Sequence, residues 1–211
     1  MNLFESFWQI LFPEHCLGCK KAGSPLCARC LSALPPPREE LPDIISFFEY
    51  RNETVKQALW QLKYRNKKGL ARALAESLAD RLSAELAELA VFKNFKDPLL
   101  VPTPLTPRRF RKRSYNQAAL LADELSQLTG LPALSALCKI KETPTQVSVR
   151  DRTARLSNLI GAFGVISPEK IKERNIFVVD DIATTGATIA EARRALLAAG
   201  AKKVLGLTVA H

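Results

Sequence analysis

Apolar positions along this chain follow two periods, and their alternation outlines the elements before any motif is considered. From residue 69 to 89, Leu70, Leu74, Leu78, Leu82, Leu86 and Leu89 recur at helical spacing and predict a long amphipathic helix. Unbroken apolar runs at 99–101 and 176–179 are too short for helices and read as buried strands, and 204–209 reads as a third. The stretch 44–50 reads as a further strand and 54–64 as a short helix. A helix over 116–128 takes Asn116 as its cap and Gly130 as its stop, and another over 188–199 halts at Gly200. Strands alternating with helices of these lengths predict an α/β fold, a parallel sheet flanked by helices and joined by right-handed crossovers.

At the start of the chain Phe4, Phe7, Trp8 and Leu11 share one helical face. The opposite face has no Lys or Arg, which a membrane-surface helix would want, so this helix is expected to pack on its neighbours. The segment also lacks a basic start, carries Glu5, and offers an apolar run only from Phe7 to Phe12. Neither a signal peptide nor a spanning helix fits, and a cytoplasmic chain with no membrane insertion is expected.

Composition changes this picture in two places. With 211 residues and 47% hydrophobic content the chain can bury an ordinary core, which excludes a disordered class. Pro35, Pro36, Pro37 and Pro42, interleaved with Arg38, Glu39 and Glu40, are too stiff and polar for a core. They divide residues 1–42, a helix, a cysteine knuckle and a linker, from the α/β domain at 43–211. The net charge of +10 is concentrated: residues 47–72 hold seven Lys and Arg against two Glu, and residues 98–158 hold ten against four acids. The remainder is nearly balanced, so two segments account for the excess and imply an anionic partner.

Four of the five cysteines form two CxxC pairs, Cys16 with Cys19 and Cys27 with Cys30. Each CxxC turn brings two thiolates to one side of a loop, and two such turns give the four-sulfur tetrahedron that Zn²⁺ accepts. Gly18, Gly23 and Pro25 supply the turns of a short knuckle. A closed site with four protein ligands is structural, and His15 is read as a neighbour of the site. Cys138, in an apolar run, is expected to be a buried core thiol.

The stretch that carries the chemistry is 176–188. A buried strand delivers Asp180 and Asp181 at its carboxyl end, where ligands bind in open α/β sheets. The small-residue turn Ala183, Thr184, Thr185, Gly186, Ala187 and Thr188 then leads into a helix N-terminus, whose free N–H groups and dipole favour a phosphate. Carboxylates beside a phosphate cradle are compatible if the ligand offers hydroxyls or a Mg²⁺ to the acids and its phosphate to the turn. A ribose 5-phosphate does so.

These thirteen residues resemble the binding signature for 5-phosphoribosyl 1-diphosphate (PRPP) in type I phosphoribosyltransferases. The resemblance implies that Ala183 through Thr188 hold the 5′-phosphate, that Asp180 and Asp181 hold the ribose hydroxyls, and that Mg²⁺ accompanies PRPP. With the knuckle, Tyr50, Leu62-Lys63-Tyr64, Val101-Pro102-Thr103-Pro104, Arg113-Ser114-Tyr115-Asn116-Gln117, Thr145-Gln146, Arg155, Asn158 and Gly161-Ala162-Phe163, the chain resembles the ComF family of competence-associated, phosphoribosyltransferase-like proteins. That implies a type I phosphoribosyltransferase fold behind a four-cysteine zinc module. It also implies a cytoplasmic role in natural transformation alongside other competence proteins.

The basic stretch from Arg108 to Arg113 keeps two readings. By the resemblance, the loop after the first core strand holds the pyrophosphate of PRPP, with Arg108, Arg109, Arg111 and Arg113 as candidates. One or two arginines suffice for that. The surplus, with Lys63, Arg65, Lys67 and Lys68 beside Trp60 and Tyr64, suits a surface that tracks single-stranded DNA, or a solvated basic face. Two functions are therefore expected. One is a competence factor that binds PRPP and single-stranded DNA, and the other is an active phosphoribosyltransferase with an unidentified acceptor.

Overall fold

The structure is a computed structural model, and residues 14–141 and 160–211 of it are described. The strands are β1 (Ile44–Phe48), β2 (Leu99–Pro102), β3 (Leu137–Lys139), β4 (Phe163–Val165), β5 (Asn175–Ile182) and β6 (Lys203–Ala210). The helices are α1 (Ala28–Ser32), α2 (Glu53–Tyr64), α3 (Gly69–Phe92), α4 (Pro107–Arg113), α5 (Gln117–Thr129), α6 (Pro168–Ile171) and α7 (Ala187–Ala198). Four strands form one parallel sheet in the order β1-β6-β5-β2, and β3 and β4 form a separate antiparallel pair. The expected α/β architecture, a parallel sheet with helices on it, is what the chain adopts. Among the described residues no helix is long and apolar enough to cross a membrane.

Residues 176–179 of the central strand β5 are apolar without interruption because both faces of the sheet are covered. Along β5, Phe177 and Val179 join the buried cluster beneath α2, α3 and α5, whereas Ile176 and Val178 join the cluster beneath α7. The leucine stripe of α3 behaves as its spacing predicts: Leu70, Leu74, Leu78, Leu82 and Leu89 are buried. Cys16, Leu26 and Leu31 from the cysteine module belong to that same first cluster. The caps also follow the sequence. Asn116 Oδ1 accepts from Ala118 N at 3.0 Å, and Gly130 closes α5 at φ +74°.

Two expectations are corrected. The basic stretch read as a loop is helical over α4. Its signals are local: Thr106 Oγ1 accepts from Arg109 N at 3.3 Å, Pro107 occupies the first turn, and Ser114 ends the helix at φ +64°. Cys138 is half-buried on β3 rather than fully enclosed. The expected helix carrying Phe4, Phe7, Trp8 and Leu11 lies outside the described residues, as do Thr145, Gln146, Arg155 and Asn158.

Candidate functional site

The carboxyl ends of β2 and β5 open onto a cleft of about 290 Å³. Parallel strands bring chain ends of distant segments to one edge, so its walls come from many parts of the sequence. Asp180 and Asp181 arrive from β5, Thr103 and Pro104 follow β2, and Arg109 and Arg113 come from α4. Asn116 and Gln117 start α5, Lys63 ends α2, and Lys139 and Phe163 come from the antiparallel pair.

The turn after β5 is anchored before it reaches the cleft. Ala183 N donates to Ala210 O at 3.0 Å, and Ala183 O meets His211 Nδ1 at 2.7 Å. Gly186 then starts α7 at φ +72°, in the left-handed region that excludes most side chains, and a Cβ there would sit 3.0 Å from Ile44 Cδ1. The six expected phosphate residues take different places. Thr184 and Thr188 line the cleft, and Ala183 and Ala187 are buried behind it. Thr185 and Gly186 border a second hollow of about 190 Å³ shared with residues 41–44. Gly186 contributes no capping side chain, and Thr185 Oγ1 accepts from Ala187 N at 3.4 Å.

The acidic pair is electrostatically loaded. Asp180 Oδ1 accepts from Asp181 N at 2.9 Å. Burial and the neighbouring Asp181 charge nonetheless push the Asp180 carboxyl up to about 7, against the pull of Lys63 and Thr103. Lys63 Nζ lies 2.7 Å from Asp181 Oδ2, an ion pair whose geometry is not that of a hydrogen bond. Across the cleft, burial and the nearby Arg109 lower the Lys139 ammonium to about 8, and the same ammonium sits 5.4 Å from the centre of the Phe163 ring. Two carboxylates at the floor and four cations around them suit a ligand that is both hydroxylated and multiply anionic.

Helical geometry sorts the arginines. Arg109 and Arg113, one turn apart, are half-buried and line the cleft, whereas Arg108, Arg111 and Lys112 face solvent. Beyond the cleft rim lies a half-exposed strip. Arg113 lies 5.0 Å over the Tyr64 ring, Tyr64 and Trp60 have centroids 6.0 Å apart, and Arg65 lies 5.1 Å over Trp60. Sequence reasoning misses Lys139, although a single Lys beside an apolar run is a signal. Lys63, grouped by sequence with the surface strip, reaches Asp181 instead. Glu191 is missed as well. It is buried on α7, accepts from Gly161 N at 2.7 Å and pairs with Arg194 at 2.7 Å, tying the entry to β4 onto the helix that carries the turn.

The four cysteines meet away from the cleft. Their sulfurs all lie within 4.8 Å of one another, with Cys16 to Cys27 at 3.6 Å and Cys19 to Cys27 at 3.8 Å. A tetrahedron with Zn–S bonds of about 2.3 Å has edges of about 3.8 Å, so the set fits that ion. Gly18 permits the approach, since a Cβ there would lie 2.7 Å from Cys30 Sγ. Burial opposes ionisation of Cys16, but the amides of Cys27, Cys19 and Gly18 outweigh it and bring the thiol down to about 6. The Cys27 sulfur and burial push Cys30 up to about 12. Four thiolates this close require a cation to coexist.

No family model matches the chain. Three relatives are informative. The chain is 31% identical over 193 residues to the DNA utilization protein YhgH of Salmonella typhimurium, covering 88% of this chain and 80% of that protein. It is 28% identical over 208 residues to Competence protein F of Haemophilus influenzae, covering 90% and 86% respectively. It is 35% identical over 134 residues to Competence protein ComFC of Streptococcus pneumoniae, covering 62% and 53%.

Proposed function

Because the chain belongs to the ComF family of competence and DNA-utilization proteins, we propose that its cleft binds PRPP and that the protein handles single-stranded DNA during competence. The carrying observation is one cleft in which Asp180 and Asp181 adjoin the Gly186-capped turn and face Lys63, Lys139, Arg109 and Arg113. In this reading Thr184, Thr188 and the first amides of α7 take the 5′-phosphate, and the acidic pair takes the ribose hydroxyls. Arg109 and Arg113 take the pyrophosphate. Mg²⁺ would supply the positive charge that lets the carboxylates and pyrophosphate share the cleft. The elevated Asp180 carboxyl is a group that gains from such a cation. The solvent-facing Arg108, Arg111 and Lys112, with the Trp60 and Tyr64 rings, serve the DNA strand. The four-cysteine module holds one structural Zn²⁺.

A second reading, transfer of the phosphoribosyl group to a base or amine, draws on Phe163 and Tyr50, two rings in the cleft wall that suit a planar acceptor. Both readings share the binding step. Calorimetry with PRPP and Mg²⁺ should show binding that is lost in Asp180→Asn with Asp181→Asn, and absence of heat with the unmutated protein overturns the site. Release of pyrophosphate on adding candidate acceptors separates the enzyme from the binder.

A further inference from the structure

Arg113 belongs to two surfaces at once. It lines the cleft, yet its guanidinium lies 5.0 Å over the Tyr64 ring and donates to Tyr64 Oη at 3.2 Å. That contact occupies a ring face. Tyr64 also meets Trp60 at a tilt of 49°, so the aromatic strip is engaged with its own chain just where a base would have to stack. A cation over a half-exposed ring is a weaker hold than a charge-assisted contact to phosphoryl oxygens in a partly enclosed cleft.

We propose that Arg113 covers Tyr64 until an anion in the cleft withdraws it, so that a phosphoribosyl ligand and a single-stranded nucleic acid favour each other's binding. The proposal rests on the cleft reading above. Both ligands move the guanidinium the same way: pyrophosphate draws it inward, and a base stacking on Tyr64 displaces it toward the cleft. Lys63 sits next to Tyr64 on α2 and holds Asp181, so the same helix end touches both sites. Linkage makes the effect reciprocal. Its sign is diagnostic, because an added polyanion beside a basic strip would by simple charge weaken nucleic-acid binding.

The test uses the full chain and a labelled oligothymidylate, with affinity read by fluorescence anisotropy with and without saturating PRPP and Mg²⁺, and Mg²⁺ alone as control. Loading should tighten oligonucleotide binding roughly fivefold or more. Arg113→Gln should abolish the gain, and so should Tyr64→Leu, in which PRPP binding is kept. Several results overturn the coupling: an unchanged or weakened oligonucleotide affinity when calorimetry shows PRPP bound, a gain that survives in Arg113→Gln, or no oligonucleotide binding at all. If calorimetry shows no PRPP binding, the cleft reading falls and the coupling falls with it.

Discussion

The cysteine module and the cleft are built in opposite ways. The first gathers its four sulfurs from fifteen consecutive residues and owes its geometry to two tight turns and Gly18. The second gathers its charges from α2, α4, β3 and β5, and owes its floor to the carboxyl edge of the parallel sheet, around which the other walls are brought by the fold. A local site depends on its ligand to be shaped, whereas a site of distant parts is shaped by the fold and bears unfavourable charge in advance of its ligand. Each half of this contrast can be broken by experiment.

The largest effect should come from the metal. Structural Zn²⁺ contributes on the order of 10 kcal/mol in small modules. Leu26 and Leu31 share a core with α3, so chelation or Cys16→Ala should lower the thermal midpoint well beyond the module itself. Near-ultraviolet circular dichroism through the melt checks this, and a metal-free protein with an unshifted midpoint would deny the knuckle its structural part. Next comes the acidic pair. Asp180→Asn with Asp181→Asn removes two charged acceptors, each worth about 1.5–3 kcal/mol, and should weaken PRPP at least about 100-fold in calorimetry. The fold should survive.

Gly186→Ala places a Cβ at φ +72° against Ile44, and the left-handed backbone alone costs roughly 1–2 kcal/mol. A drop of several degrees in Tm is expected, and unchanged stability would mean that the turn relaxes freely. The Asp180 carboxyl gives an effect that depends on pH. Its value is raised from 3.8 to about 7 in the folded chain, so the stability it confers is complete below about pH 4 and lost as pH rises through 7. Asp180→Asn should therefore melt higher than the unmutated protein at pH 8 and gain nothing at pH 4. The smallest effect concerns α4. Arg108→Ala with Arg111→Ala should flatten the salt dependence of oligonucleotide binding by roughly one and a half log units per log unit of salt. PRPP affinity should not change, because neither residue lines the cleft.

The same contrast governs what can be read from sequence. The knuckle is legible because its ligands are neighbours, and β5 with its turn is legible because an apolar run, two acids and a glycine-bearing turn are contiguous. The leucine stripe of α3 and the caps Asn116 and Gly130 are likewise local patterns. What escapes is non-local or short. Seven residues with five positive charges give no apolar period, so α4 reads as a loop although Thr106 and Pro107 mark its start. β3 and β4 have three residues each and pair across a long separation, so nothing local assigns Lys139 to a cleft wall. Nor can spacing show that Lys63 reaches an aspartate more than a hundred residues away.

The sheet order also dictates a schedule. β1 pairs only with β6, and Ser46 meets Thr208 across 162 residues of chain. Closing so long a loop is slow, and the partner strand is made last among those described. During synthesis the knuckle, α2 and α3 therefore precede the strand that completes their floor, with Leu59, Leu62 and Leu74 still uncovered by Leu207 and Val209. Yield in the cell should thus depend on chaperone supply as much as on equilibrium stability.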